Sequence, residues 1–350
     1  MDRDLLQILN IAGCAAAAVR DGAVAWRSEA ARQFGLEPGM DVGALLPEGI
    51  SPGDLAGMQM LSLPALGPSV SARVCPWGEY TVLVLEQLRP ALSYDAVGQI
   101  HRVLSGPVDD IMFTARGLFE RLEALEDPQI QAGTARLNRD FYRLLRMSAS
   151  LSDLHAGQRG FSPARTDLRL WLQDLEQRLR GLVAAAGRQL SVGLPERRMY
   201  ASVDADLLEQ AVLSLLSNAI RYSPAGSTVT LHAQLRGNQC LISLQNPVAE
   251  GVQLPDLSGA FTRPPIPGDS HGLGLGLRRV QTIAEAHGGV LLLECTPAGE
   301  FSASLCVPCD RAEDRLHRPA VAVDRSGGYS RLLVELSEVL PDSVFDSRNF

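Results

Sequence analysis

The sequence predicts a multidomain chain: a small α+β domain, an antiparallel helical hairpin, and an α/β sandwich whose mixed sheet carries helices on one face. Three observations predict it. A strand–turn–strand pattern surrounds Asp21-Gly22, two apolar seams stepping by three or four run through 94–155, and helix and strand patterns alternate from 166 to 308. At 350 residues the chain is long enough for two or three such units.

Composition narrows what the chain can do. With 46% apolar and 21% charged residues, it can bury large cores. A formal net charge of −8 argues against nucleic acid as the main partner, because backbone phosphates attract basic faces. No apolar run has the length of a membrane span. The richest early stretch, IAGCAAAAV at 11–19, is too short, and Asp2 and Asp4 beside Arg3 do not make the basic flank of a signal peptide. The expectation is a cytoplasmic protein with no transmembrane segment. Six cysteines stand at 14, 75, 240, 295, 306 and 309. Cys306-Val-Pro-Cys309 is a CxxC without a second pair, so it reads as two thiols at a strand end in preference to a redox or metal site.

Residues 1–90 form the first unit. AAAAVR and AVAWRS read as strands around the Asp21-Gly22 hairpin turn, SEAARQFG as a helix entered through a serine cap, and YTVLVLEQL as a closing strand. The run DGAVAWRSEAARQFG resembles a PAS-type sensor domain, without residues that mark a haem or flavin.

Residues 94–160 form the hairpin. Val97, Ile100, Leu104, Val108, Ile111, Ala115, Leu118, Leu122 and Leu125 make one narrow seam. After a break at 126–133, Leu137, Phe141, Leu144, Ser148 and Leu151 make the second. Two helices with one stripe each cannot enclose a core. Two copies can, as a four-helix bundle, so a homodimer through 94–155 is expected.

Residues 166–309 hold the sandwich. LRLWLQDLEQRLRGLVAAA and DADLLEQAVLSLLSNAIRYS are helices, the second opened by an acidic cap. TVTLHAQL and QCLISLQN pair around Arg236-Gly237-Asn238, and LRRVQTIAEAHGG is a helix ended by glycine before two last strands. Residues 310–350 are polar and end in one short amphipathic helix, YSRLLVELSEVLP, which docks on the domain or on a partner.

The chemistry concentrates in the sandwich. HGLGLGL at 271–277 puts bare glycines at 272, 274 and 276 directly before a helix. Unpaired N–H groups at a helix start attract anions, and glycine lets a polyphosphate come close, although such turns also serve tight packing. Asn218 lies in mid-helix, where asparagine is a poor helix former. It is either an exposed bystander or a carboxamide oxygen offered to hydrated Mg2+. Arg221 follows one turn later and is suited to a phosphate.

These residues carry a family resemblance. LLEQAVLSLLSNAIRYSP resembles the N box of the sensor histidine kinases, HGLGLGLRRVQTIAEAHGG their G2 box, and Ala260-Phe261 the end of their F box. The resemblance covers about 94–308. It implies the Bergerat ATP-binding fold shared with gyrase, Hsp90 and MutL, with ATP and Mg2+ as ligands. It further implies that Asn218 holds Mg2+, Arg221 meets phosphate and Tyr222 borders the adenine. Phe261 belongs to the site, and Gly272, Leu273, Gly274, Leu275 and Gly276 wrap the triphosphate.

Two stretches depart from the family pattern. In the G1 box, Asn246 takes the place of the aspartate that accepts from the adenine amino group, so ATP is expected to bind more weakly. In the phosphoacceptor stretch IHRVLSGP, His101 sits one residue earlier than the family's histidine, a rotation of about 100° on a helix. Arg102 also stands where an acidic neighbour is expected. His101 is nevertheless the first candidate acceptor, ahead of His155 and His271, while His287 reads as a helix cap. Ser214, four residues before Asn218, replaces the general-base glutamate of gyrase-like relatives, which argues against ATP hydrolysis as the main reaction. The resemblance therefore implies a sensor kinase passing the γ-phosphate to His101 and on to a response regulator. The alternatives are a nucleotide-binding dimeric regulator that has lost autophosphorylation, and a serine-directed kinase of the anti-sigma type, against which the hairpin counts.

Overall fold

A computed structural model describes residues 14–47, 50–67, 70–87, 127–153, 161–248, 276–295, 300–309 and 329–346, together with parts of 111–122. Strands β1 (Ala16–Arg20) and β2 (Ala23–Arg27) form the expected hairpin. Asp21 and Gly22 have φ of 52° and 78°, the left-handed pair that a two-residue turn between twisted strands requires. SEAARQFG differs from expectation: it forms a 3-10 helix, Ala30–Phe34, instead of an α-helix. The Ser28 hydroxyl accepts from the N–H of Ala31 at 3.2 Å and of Ala16 at 2.9 Å, and donates to the carbonyl of Cys14 at 2.7 Å. One fully buried hydroxyl thus pins the helix start to β1, and Gly35 in the left-handed region ends it after five residues. Strands β3 (Met58–Ser62), β4 (Val70–Trp77) and β5 (Tyr80–Gln87) follow.

Helix α1 spans Pro128–Asp153. The break expected at 126–133 is narrower, because Pro128 suits a first helical position and the Asp127 carboxylate accepts from Gln129 N–H at 2.8 Å. The second seam divides: Phe141 is buried, while Leu137 and Leu144 are 48% and 45% exposed. The described residues of 111–122 are helical, and Ile111, Phe113 and Leu118 are exposed there.

Strands β6 (Ala164–Asp167) and β8 (Tyr200–Val203) pair in a small sheet of their own that the sequence pattern did not disclose. β6 ends at an aspartate that caps a helix, and β8 is followed directly by another. Asp167 opens α2 (Leu168–Ala185), and Asp204 opens α3 (Ala205–Tyr222). The remaining elements are β7 (Gln189–Gly193), β9 (Thr228–Arg236), β10 (Gln239–Pro247), α4 (Gly276–Ala286), β11 (Val290–Cys295), β12 (Glu300–Pro308) and α5 (Arg331–Leu336).

The main sheet runs β2-β1-β5-β4-β3-β11-β12-β10-β9-β7, and only β7 and β9 pair in parallel, so it is mixed as expected. Its continuity is a finding. β3 pairs with β11 through Leu61↔Leu292 and Met60↔Leu293, joining the N-terminal strands edge to edge with the sandwich. Alternation along the strands then separates two cores. Cys240, Ile242, Leu244, Leu291, Leu293 and Leu305 face α2, α3 and α4. Leu241, Val290, Leu292 and Cys306 face the other way and complete the core of the N-terminal strands. Helices cover one face of the sandwich, and the N-terminal unit packs against part of the opposite face. Among the described residues no helix is long and apolar enough to cross a membrane.

Candidate functional site

The site is built on α3. Asp204 Oδ1 accepts from the N–H groups of Asp206 and Leu207 at 3.2 Å each, satisfying two donors at the helix start. From Ala211 to Ile220 every residue is buried except Asn218. A carboxamide half-open on an otherwise enclosed stretch fits a ligand-facing group better than a surface bystander. Ser214, one turn before it, is 1% exposed.

Helix α4 starts against this face. A Cβ on Gly276 would lie 3.1 Å from Ser214 Oγ and 4.0 Å from Asn218 Nδ2. Gly276 therefore allows a close approach: with a Cβ there, Ser214 or the helix would have to give by a few tenths of an ångström. The first described turn of α4 thus lies beside Asn218, and N–H groups at a helix start generally lack partners within their own helix. One carboxamide oxygen for a hydrated cation next to main-chain donors for an anion suits a magnesium-bound polyphosphate. Among the described residues, no group of three His, Cys, Asp or Glu side chains could hold a metal ion by itself. Mg2+ carried in by phosphates needs only one protein oxygen.

Asn246 lies on β10 with the same alternation as Ile242 and Leu244, on the face shared with α3 and α4, and is 3% exposed. Its Nδ2 donates to the carbonyl of Pro247 at 3.0 Å, so its amide oxygen is the atom suited to accept from a ligand. Tyr222 closes α3 and is half-buried. Phe261, Gly272, Leu273, Gly274 and Leu275 lie outside the described residues, as do His101, His155 and His271.

Arg221 holds a partner the sequence did not indicate. Its guanidinium pairs with Glu338, just beyond α5. Glu338 also lies 3.2 Å from Arg146 of α1, and its neighbour Glu335 pairs with Arg279 of α4 at 2.7 Å. Arg146, Arg279, Glu335 and Glu338 were not singled out in the sequence. The available signal was two glutamates three apart among the leucines of YSRLLVELSEVLP, an acidic stripe on an apolar helix.

The other side chains have structural roles. His287 donates from Nδ1 to the carbonyl of Ile283 at 2.7 Å, so it caps its own helix, and its Nε2 accepts from Asp204 N–H at 3.0 Å, tying α4 to the α3 start. Glu209, a buried carboxylate on α3, is held by both Arg178 nitrogens at 3.0 Å and is not poised as a base. Cys306 and Cys309 face opposite cores, and burial pushes the Cys306 thiol up to about 12. Cys240 is also pushed up to about 12, by burial first and by its cysteine neighbours second. These are inert thiols.

Residues 203–311 match the family described as histidine kinase-, DNA gyrase B-, and HSP90-like ATPase. Sensor protein KdpD of Clostridium acetobutylicum is 25% identical over 207 residues, 57% of this chain and 23% of that protein. The adaptive-response sensory kinase SasA of Synechococcus sp. strain JA-2-3B'a(2-13) is 25% identical over 252 residues, 66% of this chain and 64% of that one. Full-length ShkA, solved in complex with AMPPNP, aligns with a TM-score of 0.48 at 19% identity, over 63% of this chain and 47% of that chain. The match spans less than two thirds of each of these three proteins. The sandwich carries an ATPase domain of the histidine kinase, gyrase B and HSP90 type. Within that class, the two similar proteins named above are a sensor protein and a sensory kinase.

Proposed function

We propose that this chain is a cytoplasmic sensor histidine kinase that binds Mg-ATP between α3 and α4 and passes the γ-phosphate to His101, and from there to an aspartate on a response regulator. The observation that carries the reading is the approach of Gly276 to Ser214 and Asn218, which sets α4 beside the one half-open position between Ala211 and Ile220. In this reading Asn218 supplies the oxygen for Mg2+, the amides of the α4 start hold phosphate, and Asn246 accepts from the adenine. Tyr222 and Phe261 border the base, and Gly272, Leu273, Gly274 and Leu275 extend the phosphate wrap. Held at Asn218, Mg2+ would supply charge neutralisation for phosphoryl transfer. No uncommitted carboxylate stands on α3 beside Asn218, which favours transfer to a side chain over hydrolysis. The exposed Ile111, Phe113, Leu118, Leu137, Leu144 and Met147 support a homodimer through 94–155, since such a stripe on paired helices calls for a second copy. The five antiparallel strands of the N-terminal unit and their short helical turns fit a PAS-like sensor in 1–90, with the hairpin in 94–160, the ATPase domain in 166–309 and the segment 310–350 beyond it.

A second reading, a dimeric nucleotide-binding regulator without autophosphorylation, draws on the pairing of Arg221 with Glu338 and on Arg102 in place of an acid beside His101. One assay separates the two. Incubation with γ-labelled ATP and Mg2+ should give acid-labile, base-stable label that His101→Ala abolishes. Measurable nucleotide binding with no label would instead establish the regulator.

A further inference from the structure

The segment 329–346 lies across three helices at once. Leu333, Leu336, Leu340 and Phe345 are 0–3% exposed and belong to the core shared by α2, α3 and α4. Tyr142 of α1 packs on Phe345 at 5.3 Å and edge-on to Tyr329 at 6.1 Å, and Asn138 Nδ2 donates to the Phe345 carbonyl at 2.8 Å. Arg331 pairs with Asp206 of α3 at 2.8 Å, and Asp342 with Arg139 of α1. In the middle, guanidiniums from α1 (Arg146), α3 (Arg221) and α4 (Arg279) meet the carboxylates of Glu335 and Glu338. Each of these three guanidiniums lies against a carboxylate of the segment.

The position of Arg221 gives this cluster its consequence. Residues three apart on a helix are neighbours on one surface, so Arg221 is the α3 cation adjoining Asn218. A carboxylate and a phosphate oxygen make the same charge-assisted bonds to a guanidinium and cannot both hold it in the same geometry. We propose that Arg146, Arg221 and Arg279 form an anion site that the chain's own segment 329–346 fills. Glu338 stands in for a nucleotide phosphate at Arg221, while the apolar residues of the segment strap α1 to α3 and α4. The proposal rests on the reading that Mg-ATP binds beside Asn218. With the segment seated, nucleotide has to displace Glu338 to reach Arg221, and the ATPase domain is fixed against the hairpin. By linkage, bound nucleotide loosens the segment by the same factor that the segment weakens nucleotide.

The test measures binding of Mg2+ with the imido analogue of ATP to the full chain, to Glu338→Gln, to Arg221→Gln and to the double variant. Glu338→Gln should bind at least about fivefold tighter. Arg221→Gln should bind more weakly than the unaltered chain, and the double variant should show no gain. Glu338→Gln binding no tighter while Arg221→Gln weakens binding would overturn the internal occupant and leave the ATP site standing. Tightening that survives in the double variant would also overturn it, because Glu338 would then not act through Arg221. Loss of nucleotide binding in all four proteins would overturn both the occupant and the ATP reading. If Glu338→Gln does not fold, hydrogen exchange in the unaltered chain decides. Amides of 331–346 should exchange faster at saturating nucleotide, and unchanged exchange would overturn the proposal.

Discussion

Replacing Glu335 by leucine should cost this protein about 3–5 kcal/mol of stability, the range for removing one member of a buried ion pair. The structure places the case at the demanding end. Glu335 and Arg279 side chains are 2% and 3% exposed, with Nη1 to Oε1 at 2.7 Å, and Arg146 Nε approaches the other oxygen at 3.8 Å. Leucine nearly preserves the volume but removes the carboxylate from beside the buried Arg279 and from beside Arg146. Two unit charges at about 4 Å and an effective dielectric near 20 interact by about 4 kcal/mol, which agrees with that range. Urea unfolding followed by tryptophan fluorescence reads it directly, since Trp171 packs against the same core. The midpoint should fall by roughly 1–2 M. A companion variant, Arg279→Met with Glu335→Leu, removes both charges and should recover most of the loss, because the penalty lies in the unpaired cation. A single-variant loss below about 1 kcal/mol, or a double variant as weak as the sum of its parts, would refute the reasoning.

Two further predictions concern other regions. Burial raises the Glu294 carboxyl above its ordinary value, with Asp54 adding to the rise and Arg236 opposing it. A raised carboxyl contributes stability below the ordinary glutamate range near about 4.3, and that contribution is lost as pH climbs through the raised value. Glu294→Gln should therefore lift the urea midpoint at pH 7, with the gain vanishing near pH 4. An equal gain at both pH values would contradict this. At pH 7 thiols near 12 are thiolate in roughly one molecule in a hundred thousand. Alkylation of the native protein should thus mark Cys14 and Cys75, which are partly exposed, and spare Cys240 and Cys306 until unfolding; early labelling of either buried cysteine would count against it.

Local chemistry was readable in the sequence, and remote pairing was not. Asp21-Gly22 announces its turn because few residue pairs accept two left-handed conformations in succession. Asp204 and the apolar stripe after it announce α3, and Asn218 stands out within that stripe. Gly276 is likewise conspicuous as a glycine before a helix, and its close approach to Ser214 is a packing contact. By contrast, the pairing of β3 with β11 joins residues more than 200 positions apart, and no local period encodes it. β6 and β8 have four residues each, too short for alternation to register. Ser28 looked like an α-helix cap, but its other bonds, to Ala16 and Cys14, hold the helix start to β1, and the helix stops as a 3-10 turn. The sequence marks Arg221 only as a candidate cation for phosphate. That Glu338 holds it depends on where the segment 329–346 docks, which its amphipathic pattern left undetermined.

The central claim is that the open carboxamide of α3 and the bare start of α4 serve one magnesium triphosphate. Calorimetric titration of the full chain with ATP, with and without Mg2+, tests it most directly when repeated on Asn218→Ala and Gly276→Val. The account predicts Mg2+-dependent binding in the unaltered chain, loss of the Mg2+ dependence in Asn218→Ala, and loss of binding in Gly276→Val with the sheet and hairpin still folded. Undiminished Mg2+-dependent binding in both variants would contradict it.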